Sequence, residues 1–359
     1  MKETKICVIG LGYVGLPLAR LFSTKYKTVG FDMNAKRCEA LMAGHVDSIT
    51  VFSKCHHGWS YHPTEVNEMH PQLKLDLLGA QLEACKEIGV NAPVYISAGY
   101  DEKEFIKRPE WRYCPSPKKE DVEEYNKEVH FHLLCFNTGY LDLLCAQIEE
   151  VMVKYNPCGI FLDIISPKVC YCEKCQSDMK KLGLDIENET DRHKFAEKTF
   201  YNYIEATNNA VRKHSDNATI FHNSGHIPKG NHNFINSNTH LELESLPTGG
   251  WGYDHFPLSA AYVRTLGNKE YLGMTGKFHH SWGEFGGFKH PNALKYEVAL
   301  SLANGAKCSI GDQMHPYGFL DDATYELIGA AYSEAEKVEE YCYDIDVVAE
   351  VAVLEKECF

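Results

Sequence analysis

The sequence predicts an α/β protein whose main body is a (β/α)8 TIM-type barrel, preceded by a short βαβ segment. Three observations predict this fold class. Seven apolar, strand-like runs alternate with helical patterns, a strand, glycine-turn, helix and strand pattern opens the chain, and 359 residues suffice for a barrel of about 250 residues with additions. Strands that alternate with helices are expected to lie parallel and to be joined by crossover helices.

The first element is a glycine-rich turn between two predicted strands. An apolar strand over residues 5–10 leads into a GxGxxG pattern and a helix, and a second strand over residues 28–31 ends at an acid. This order is typical of a Rossmann-like segment, where helix N-terminal amides receive a pyrophosphate and the acid binds a ribose hydroxyl. The candidate cofactor-binding residues for NAD are Gly10, Gly12, Gly15 and Asp32. The alternative, which we favour, is a βαβ unit that serves only as scaffold, and NAD binding is not expected.

The amino-acid sequence of this opening segment also resembles that of a known protein family. KICVIGLGYVGLPLA at residues 5–19 and FDMN at residues 31–34 closely resemble the start of the nucleotide-sugar 6-dehydrogenases. The resemblance ends near residue 44, and the glycine-rich segment with a catalytic cysteine that this family needs does not follow. An NAD-dependent nucleotide-sugar oxidoreductase is therefore the weakest functional alternative. We expect residues 1–44 to be a Rossmann-like fragment, fused to the barrel, whose strand 28–31 supplies or replaces barrel strand one.

The remaining chain predicts the rest of the barrel. Strand-like runs lie at residues 48–52, 93–97, 159–163, 218–222, 240–244, 271–275 and 306–310. Apolar positions 78, 82, 85 and 88 share one helical face, and so do positions 141, 144, 148, 151 and 155. We expect the barrel to span residues 45–345, and residues 346–359 to begin a following domain.

Composition limits the partners. The chain has 36 Lys and Arg against 50 Asp and Glu, a net charge of −14, whereas nucleic acids and anionic membranes require a basic face. No run approaches about 18 uninterrupted apolar residues, and the N-terminus lacks a signal-peptide pattern. We therefore expect a cytoplasmic protein with neither nucleic-acid nor membrane partners. Homo-oligomerisation is left open.

Polar and aromatic residues cluster after the predicted strands. In a β/α barrel the strand C-terminal ends face the active site. The candidates there are Lys54, His56, His57, Trp59, Asp101, Asp163, His222, Asn223, Glu242, Glu244, Trp251, Asp254, His279, Trp282, Glu284, Asp312 and His315. Carboxylates beside aromatic rings suit sugar chemistry, in which one acid protonates the leaving oxygen, a second carboxylate attacks, and flat apolar faces stack on the ring.

Longer segments around these residues carry a second resemblance. They are FSKCHHGWSYHPT at 52–64, HPQLKLDLLG at 70–79, FLDI at 161–164 with CYCEKC at 170–175, ESLPTGGWGYDHFP at 244–257, and GDQMHP at 311–316. Across residues 46–345 the chain resembles an uncharacterised group of glycoside-hydrolase-like barrels, distantly similar to α-L-fucosidases. Fucosidases hold sugar hydroxyls with a Lys-His-His segment and end strand four on an aspartate nucleophile. The resemblance implies these roles for Lys54, His56, His57 and Asp163, with Cys55 interrupting the fucosidase pattern.

The favoured function is that of a retaining glycoside hydrolase, fucosidase-like or galactosidase-like, which acts on a small sugar glycoside. Asp163 is the candidate nucleophile, and its alternative is a loop or helix cap. Glu244 is the favoured acid/base, with Glu242 and Glu284 as further candidates. Glu242 and Glu244 share a strand face, so mutual repulsion is expected to raise one pKa and favour an acid. A catalytically impaired, carbohydrate-binding barrel is the alternative from another class.

The remaining candidates are assigned to substrate binding. His56 and His57 are expected to bind hydroxyls rather than metal, since no carboxylate at ligand spacing accompanies them. Asp254 and Asp312 either orient the substrate or tie loops together. Trp59, Trp251 and Trp282 are sugar platforms or rim packing. The other substrate-binding candidates are Lys54, Asp101, His222, Asn223, His279 and His315.

The cysteines are expected to be reduced, with one metal-like exception. Fourteen cysteines spread through predicted strands and helices suit packing rather than disulfides. Cys170, Cys172 and Cys175 have the spacing of zinc ligands, but the sequence identifies no fourth ligand. A structural zinc site and simple packing both stay open here. No cofactor is expected to be required for catalysis.

Overall fold

A computed structural model describes residues 5–9, 27–31, 40–267, 269–284, 286–313, 320–342, 345, 348–349 and 351–353. Nine strands lie in these ranges, and every strand pair is parallel. The candidate cofactor residues Gly10, Gly12, Gly15 and Asp32, and the substrate-binding candidate His315, lie outside the described residues.

The first two strands form a sheet of their own. Strand β1, Lys5–Ile9, pairs in parallel with β2, Lys27–Phe31. The described ladders pair β2 with β1 and not with β3, Val51–Lys54, so they do not show residues 28–31 as a strand of the larger sheets, and their place as barrel strand one stays a prediction.

The seven predicted barrel strands are all present, in sequence order. They are β3 Val51–Lys54, β4 Val94–Ser97, β5 Gly159–Asp163, β6 Thr219–His222, β7 Leu241–Glu244, β8 Tyr271–Gly276 and β9 Lys307–Gly311. Strands β3 to β6 form one sheet and β7 to β9 form another. The near-continuous burial of β4 and β7 is what parallel strands covered by helices require.

The two sheets follow one another across β6 and β7. The backbone N–H of Thr239 donates to the carbonyl of Ile220 at 2.9 Å, and the Phe221 ring packs 5.4 Å from that of His240. Within the described ranges no ladder closes the seven strands into a barrel. The chain is thus an α/β protein with consecutive parallel strands, and the eight-stranded barrel stays a prediction.

Helices connect the strands. They are α1 Leu77–Glu87, α2 Glu102–Lys107, α3 Lys119–Tyr125, α4 Tyr140–Tyr155, α5 Glu173–Lys181, α6 Glu189–Arg212, α7 His232–Ser237, α8 His255–Val263, α9 Pro291–Ala303 and α10 Asp322–Glu336. Both predicted apolar stripes are helices, α1 and α4. Short polar side chains begin several helices by accepting a backbone N–H, as Asp76 does from Gly79 at 2.8 Å. Within the described part of the chain, no helix is both long and apolar enough to cross a membrane.

The largest core lies between the four-stranded sheet and its helices. Ile96, Leu144, Leu162 and Tyr203 are among its fully buried members. Packing α4 and α6 on one face of the sheet fixes the strands, and therefore fixes their C-terminal ends at one edge. Asp163 is the last residue of β5 and Glu244 is the last residue of β7, so each lies at the C-terminal end of a strand of its own sheet.

Candidate active site

The Asp163 carboxylate is held by three hydrogen-bond donors. The Tyr95 hydroxyl donates to Oδ2 at 2.5 Å, while the Asn223 amide and the backbone N–H of Ile164 donate to Oδ1 at 2.9 and 2.8 Å. Tyr95 precedes Ser97 by two residues on β4, and Ser97 pairs with Asp163 across the ladder. The alternation of the strand therefore aims Tyr95 at the same face as Asp163. A carboxylate with both oxygens oriented in this way is fixed in direction.

The backbone directly after Asp163 is strained. Ile164 has a φ of 61°, a conformation that β-branched residues rarely adopt and that costs about 1–3 kcal/mol. This turn directs the Ile164 N–H at the Asp163 carboxylate. It also brings the Ile164 carbonyl oxygen to the backbone of Gly99, where an added Cβ would lie 1.9 Å from it. Only glycine fits at position 99.

Glu244 lies beside Asp163, and one amide joins them. Nδ2 of Asn223 is 2.9 Å from Oδ1 of Asp163 and 3.4 Å from Oε2 of Glu244, so these two oxygens lie at most about 6.3 Å apart. The Trp282 indole N–H donates to the other oxygen, Oε1, at 2.5 Å. The structure therefore brings together four predicted site residues: two that end strands, one that follows the end of β6, and one in a loop.

The environment of Glu244 favours its protonated form. Burial raises the pKa of Glu244 above its usual value, the hydrogen bonds from Trp282 and Asn223 oppose this, and the charges of Asp163 and Glu242 add smaller raising effects. Asp163, by contrast, is surrounded by donors. Two neighbouring carboxyl groups with such different surroundings are suited to different roles, one as acid and one as nucleophile.

His56 is oriented by a hydrogen bond at one ring nitrogen and interacts with the charge of Asp163. The Ser97 hydroxyl donates to the carbonyl of Tyr100 at 2.8 Å, so it accepts from Nδ1 of His56, also at 2.8 Å. Burial lowers the pKa of His56, although Asp163 opposes this, and the neutral ring then carries an acceptor at Nε2. The rings of Tyr100 and Phe131 pack edge-on against His56 at 5.2 and 5.3 Å. An acceptor flanked by aromatic rings suits a sugar hydroxyl and an apolar sugar face.

A cavity of about 320 Å³ adjoins the pair. Asp163, Asn223 and Glu244 line it from the strand ends, and Tyr100 and Phe195 line it from other segments. Its volume matches the lower range of small-molecule sites.

Several predicted substrate-binding residues have protein partners instead of a place at this cavity. Lys54 and Asp101 form an ion pair of 2.8 Å with side chains 1% and 0% exposed. Asp101 also caps α2 by accepting from the N–H of Glu104. A buried pair of this kind stabilises β3 against the following segment, and neither group faces the cavity residues named above.

Two predicted histidines are likewise engaged at both nitrogens. Nδ1 of His57 accepts the Trp59 N–H at 3.0 Å, so Nε2 donates to the Tyr61 hydroxyl at 2.7 Å. His222 is fully buried between Tyr203 and Asn208, at 3.1 Å from each. Burial lowers the pKa of His222 to about 3, so the ring is neutral.

The other carboxylate candidates have separate partners. Glu242 pairs with His240 at 2.9 Å. It lies two residues before Glu244 on β7. Glu284 accepts from the backbone N–H groups of His279 and His280 and from the His280 ring. The hydrogen bonds from His280 lower the pKa of Glu284, which makes Glu284 a poorer acid than Glu244.

The remaining candidates are exposed or have partners away from Asp163 and Glu244. Trp59 receives the Lys103 ammonium over its ring at 5.6 Å, and Trp251 packs edge-on against His255. Asp254 and His279 are exposed. Asp312 accepts from the N–H of Gln313, and burial raises its pKa.

Two groups were not identified from sequence. Tyr95 donates a hydrogen bond to Asp163. Its position two residues before the end of a predicted strand places it on the same face as the strand's last residue, and this could have identified it from the sequence. Cys135 lies with the predicted metal-like cysteines within 4.8 Å. It belongs to no motif and is 35 residues from Cys170, so only the fold brings it there.

Comparisons with known proteins agree with this chemistry in outline. A family model described as hypothetical glycosyl hydrolase 6 matches residues 34–164. Among solved structures, α-L-fucosidase isoenzyme 2 from Paenibacillus thiaminolyticus is 48% identical with a TM-score of 0.83, and the match covers 96% of this chain and 51% of that one. The chain thus spans about half the length of this relative.

More distant fucosidases share the fold. A covalent intermediate of an α-L-fucosidase from Bacteroides thetaiotaomicron, trapped with 2-fluoro-fucosyl fluoride, is 13% identical with a TM-score of 0.54, over 85% of this chain and 61% of that one. A separate similarity concerns a stretch of 48 residues, 54% identical to UDP-N-acetyl-D-glucosamine 6-dehydrogenase from Pseudomonas aeruginosa, which is 13% of this chain and 11% of that protein. The dehydrogenase similarity is thus confined to a short segment.

Proposed function

We propose that this protein is a retaining glycoside hydrolase that acts on α-L-fucosides, with Asp163 as nucleophile and Glu244 as acid/base. The observation that carries the proposal is the shared Asn223 amide, which keeps Oδ1 of Asp163 and Oε2 of Glu244 within about 6.3 Å of each other. Retaining glycosidases hold their two carboxyl groups about 5–5.5 Å apart, a separation that this upper bound admits, and the configuration of the product distinguishes them from inverting enzymes, whose groups lie about 6.5–9.5 Å apart. The choice of fucoside follows the 48% identical relative, which is an α-L-fucosidase.

The first step follows from the hydrogen bonds. Oδ2 of Asp163 accepts one donor where Oδ1 accepts two, so Oδ2 is the oxygen with room to attack the anomeric carbon. The new C–O bond forms as the glycosidic C–O bond breaks, and protonated Glu244 gives its proton to the leaving oxygen. The product is a glycosyl ester of Asp163 and a free alcohol.

The second step reverses these roles. Glu244, now ionised, takes a proton from a water that attacks the anomeric carbon, and the ester bond to Asp163 breaks. The Trp282 N–H stabilises the charge that Glu244 carries between the steps. The free nitrogen of His56 accepts a sugar hydroxyl, and the apolar wall around Tyr100 receives the sugar face.

The test uses aryl glycosides and an external nucleophile. The folded wild type is assayed on aryl α-L-fucoside and β-D-galactoside, and we expect turnover of the fucoside with retention at the anomeric carbon by NMR. Asp163→Gly is expected to lose at least about 10³-fold in kcat. Azide then replaces the lost carboxylate and gives a glycosyl azide of inverted configuration.

The Glu244→Ala variant tests the acid/base role in the same assay. Without its acid, the enzyme is expected to keep turnover of an aryl glycoside with a good leaving group and to lose about 10²–10⁴-fold on a poor one. Azide attacks the ester on Asp163 and gives a glycosyl azide of retained configuration. The exposed Asp216, changed to Asn, is the matched carboxylate control and should behave as wild type.

Other outcomes contradict the proposal in distinguishable ways. Inversion by the wild type would exclude the covalent role of Asp163. Turnover of the galactoside alone would replace the sugar while leaving the mechanism in place. Absence of turnover together with calorimetric binding of L-fucose would support the alternative of a carbohydrate-binding protein without catalysis.

A further inference from the structure

Four buried cysteines converge beside the cavity. The sulfur atoms of Cys135, Cys170, Cys172 and Cys175 all lie within 4.8 Å of one another. Three come from the segment that leads from β5 into the first turn of α5, and Cys135 comes from the segment between β4 and α4. Each of the four residues is less than 9% exposed.

The spacing of the sulfurs matches a tetrahedral metal site. Cys135 and Cys175 are 3.4 Å apart at sulfur, and Cys135 and Cys172 are 3.8 Å apart. Four thiolates bound to Zn²⁺ at about 2.3 Å stand about 3.8 Å from each other, whereas a disulfide bond measures about 2.05 Å. The sulfurs therefore lie at the separation of ligands that share one ion.

The surroundings support a closed, dry site. Met179 and Phe195 are buried in the same cluster, and Tyr113 and Leu184 pack against it. The backbone N–H of Cys114 donates to the sulfur of Cys170 at 3.4 Å, as outer partners of metal-bound thiolates do. Within the described residues, the group that meets these distances consists of four cysteines, with neither histidine nor carboxylate.

We propose that Cys135, Cys170, Cys172 and Cys175 bind one structural Zn²⁺ ion. Four soft thiolate ligands in a tetrahedron favour zinc, and a complete ligand set leaves no position for water or substrate. Cys135, Cys170 and Cys175 line the same cavity as Asp163. The ion thus fastens the segment after β4 to the segment after β5 and fixes one wall of the cavity.

The test begins with the purified, full chain prepared under reducing conditions. Elemental analysis by mass spectrometry is expected to find one zinc per chain, and X-ray absorption at the zinc edge is expected to find four sulfur neighbours at about 2.3 Å. Neither measurement depends on catalysis, so the result is independent of the proposed function. Zinc absent after growth with added zinc, nitrogen or oxygen neighbours in the first shell, or disulfides seen by intact mass would overturn the proposal.

A variant pair assigns the fourth ligand. Cys135→Ser is expected to lower zinc content to less than half per chain and to reduce the melting temperature, with a shift that added zinc only partly reverses. Cys145→Ser removes a half-buried cysteine of α4 outside the cluster and should keep one zinc. If Cys135→Ser does not fold, the sulfur count from the wild-type absorption spectrum still decides between three and four thiolates. Full zinc in folded Cys135→Ser would contradict the role of Cys135.

Discussion

The Tyr95 hydroxyl donates a hydrogen bond of 2.5 Å to Oδ2 of Asp163. The two residues come from neighbouring parallel strands, and Tyr95 pairs with Phe161, two residues before Asp163. The donor and the acceptor are thus positioned by the sheet itself rather than by a loop. A hydrogen bond to a carboxylate contributes about 1.5–3 kcal/mol.

Tyr95→Phe should lower kcat/KM on an aryl glycoside by about 10–100-fold, because the orientation of Asp163 loses one of its three donors. Tyr155 offers a matched control, since its hydroxyl donates to Asp76 at 2.8 Å outside the site. Tyr155→Phe should reduce the melting temperature and leave kcat/KM within about twofold. Equal losses of kcat/KM in both variants would mean that Tyr95 acts only on stability.

The pH profile of kcat/KM should have a basic limb set by Glu244. Its pKa is raised, chiefly by burial, and the general acid must be protonated, so activity falls as pH rises through that pKa. The Trp282 N–H lowers the same pKa. Trp282→Phe should therefore move the basic limb to higher pH, whereas Trp111→Phe, outside the site, should leave the limb in place. A shift to lower pH would contradict this role of the indole.

Gly99→Ala should abolish most activity, because its Cβ would lie 1.9 Å from the Ile164 carbonyl oxygen and displace the turn after Asp163. Gly89→Ala is the comparison, since its added Cβ meets nothing within 4 Å, although its φ of 74° costs about 1 kcal/mol. Circular dichroism and kcat/KM are measured for both. Wild-type kcat/KM in Gly99→Ala would show that the backbone at Ile164 has no influence on Asp163.

Lys54→Met should reduce stability more than catalysis. Removing the cation leaves Asp101 buried without its partner, which costs about 3–5 kcal/mol. Urea unfolding measures the free energy, and KM for the aryl glycoside is determined below the transition. An unchanged free energy of unfolding with a large rise in KM would restore the hydroxyl-binding role that the resemblance implies.

The sequence predicts the strands better than the contacts of individual polar residues. All seven strands from residue 48 onward are recognisable as short apolar runs, and those of β4 and β7 reflect burial on both faces. The ladder of strand 28–31 with residues 5–9 is not evident from its apolar run, because such a run does not specify its neighbour. Strand pairing depends on segments far apart in the chain.

The site was predictable to the level of strand ends. Alternation and strand order place Asp163 and Glu244 at strand C-terminal ends, and the same logic applied to Tyr95 identifies a third member. It does not distinguish a lysine that faces a cavity from one that meets a buried acid 47 residues away, as Lys54 meets Asp101. Nor does it connect Cys135 with a cysteine motif 35 residues later, since that proximity arises only from folding.

The left-handed backbone of Ile164 costs folding free energy but serves catalysis, so a substitution that improves one should impair the other. Asparagine adopts such a φ more readily than a β-branched residue, so selection for thermal resistance alone would favour Ile164→Asn. The relaxed turn would no longer hold the peptide N–H as firmly against Asp163. A library screened only for heat tolerance should accumulate substitutions at this residue, and these variants should have a higher melting temperature and a lower kcat.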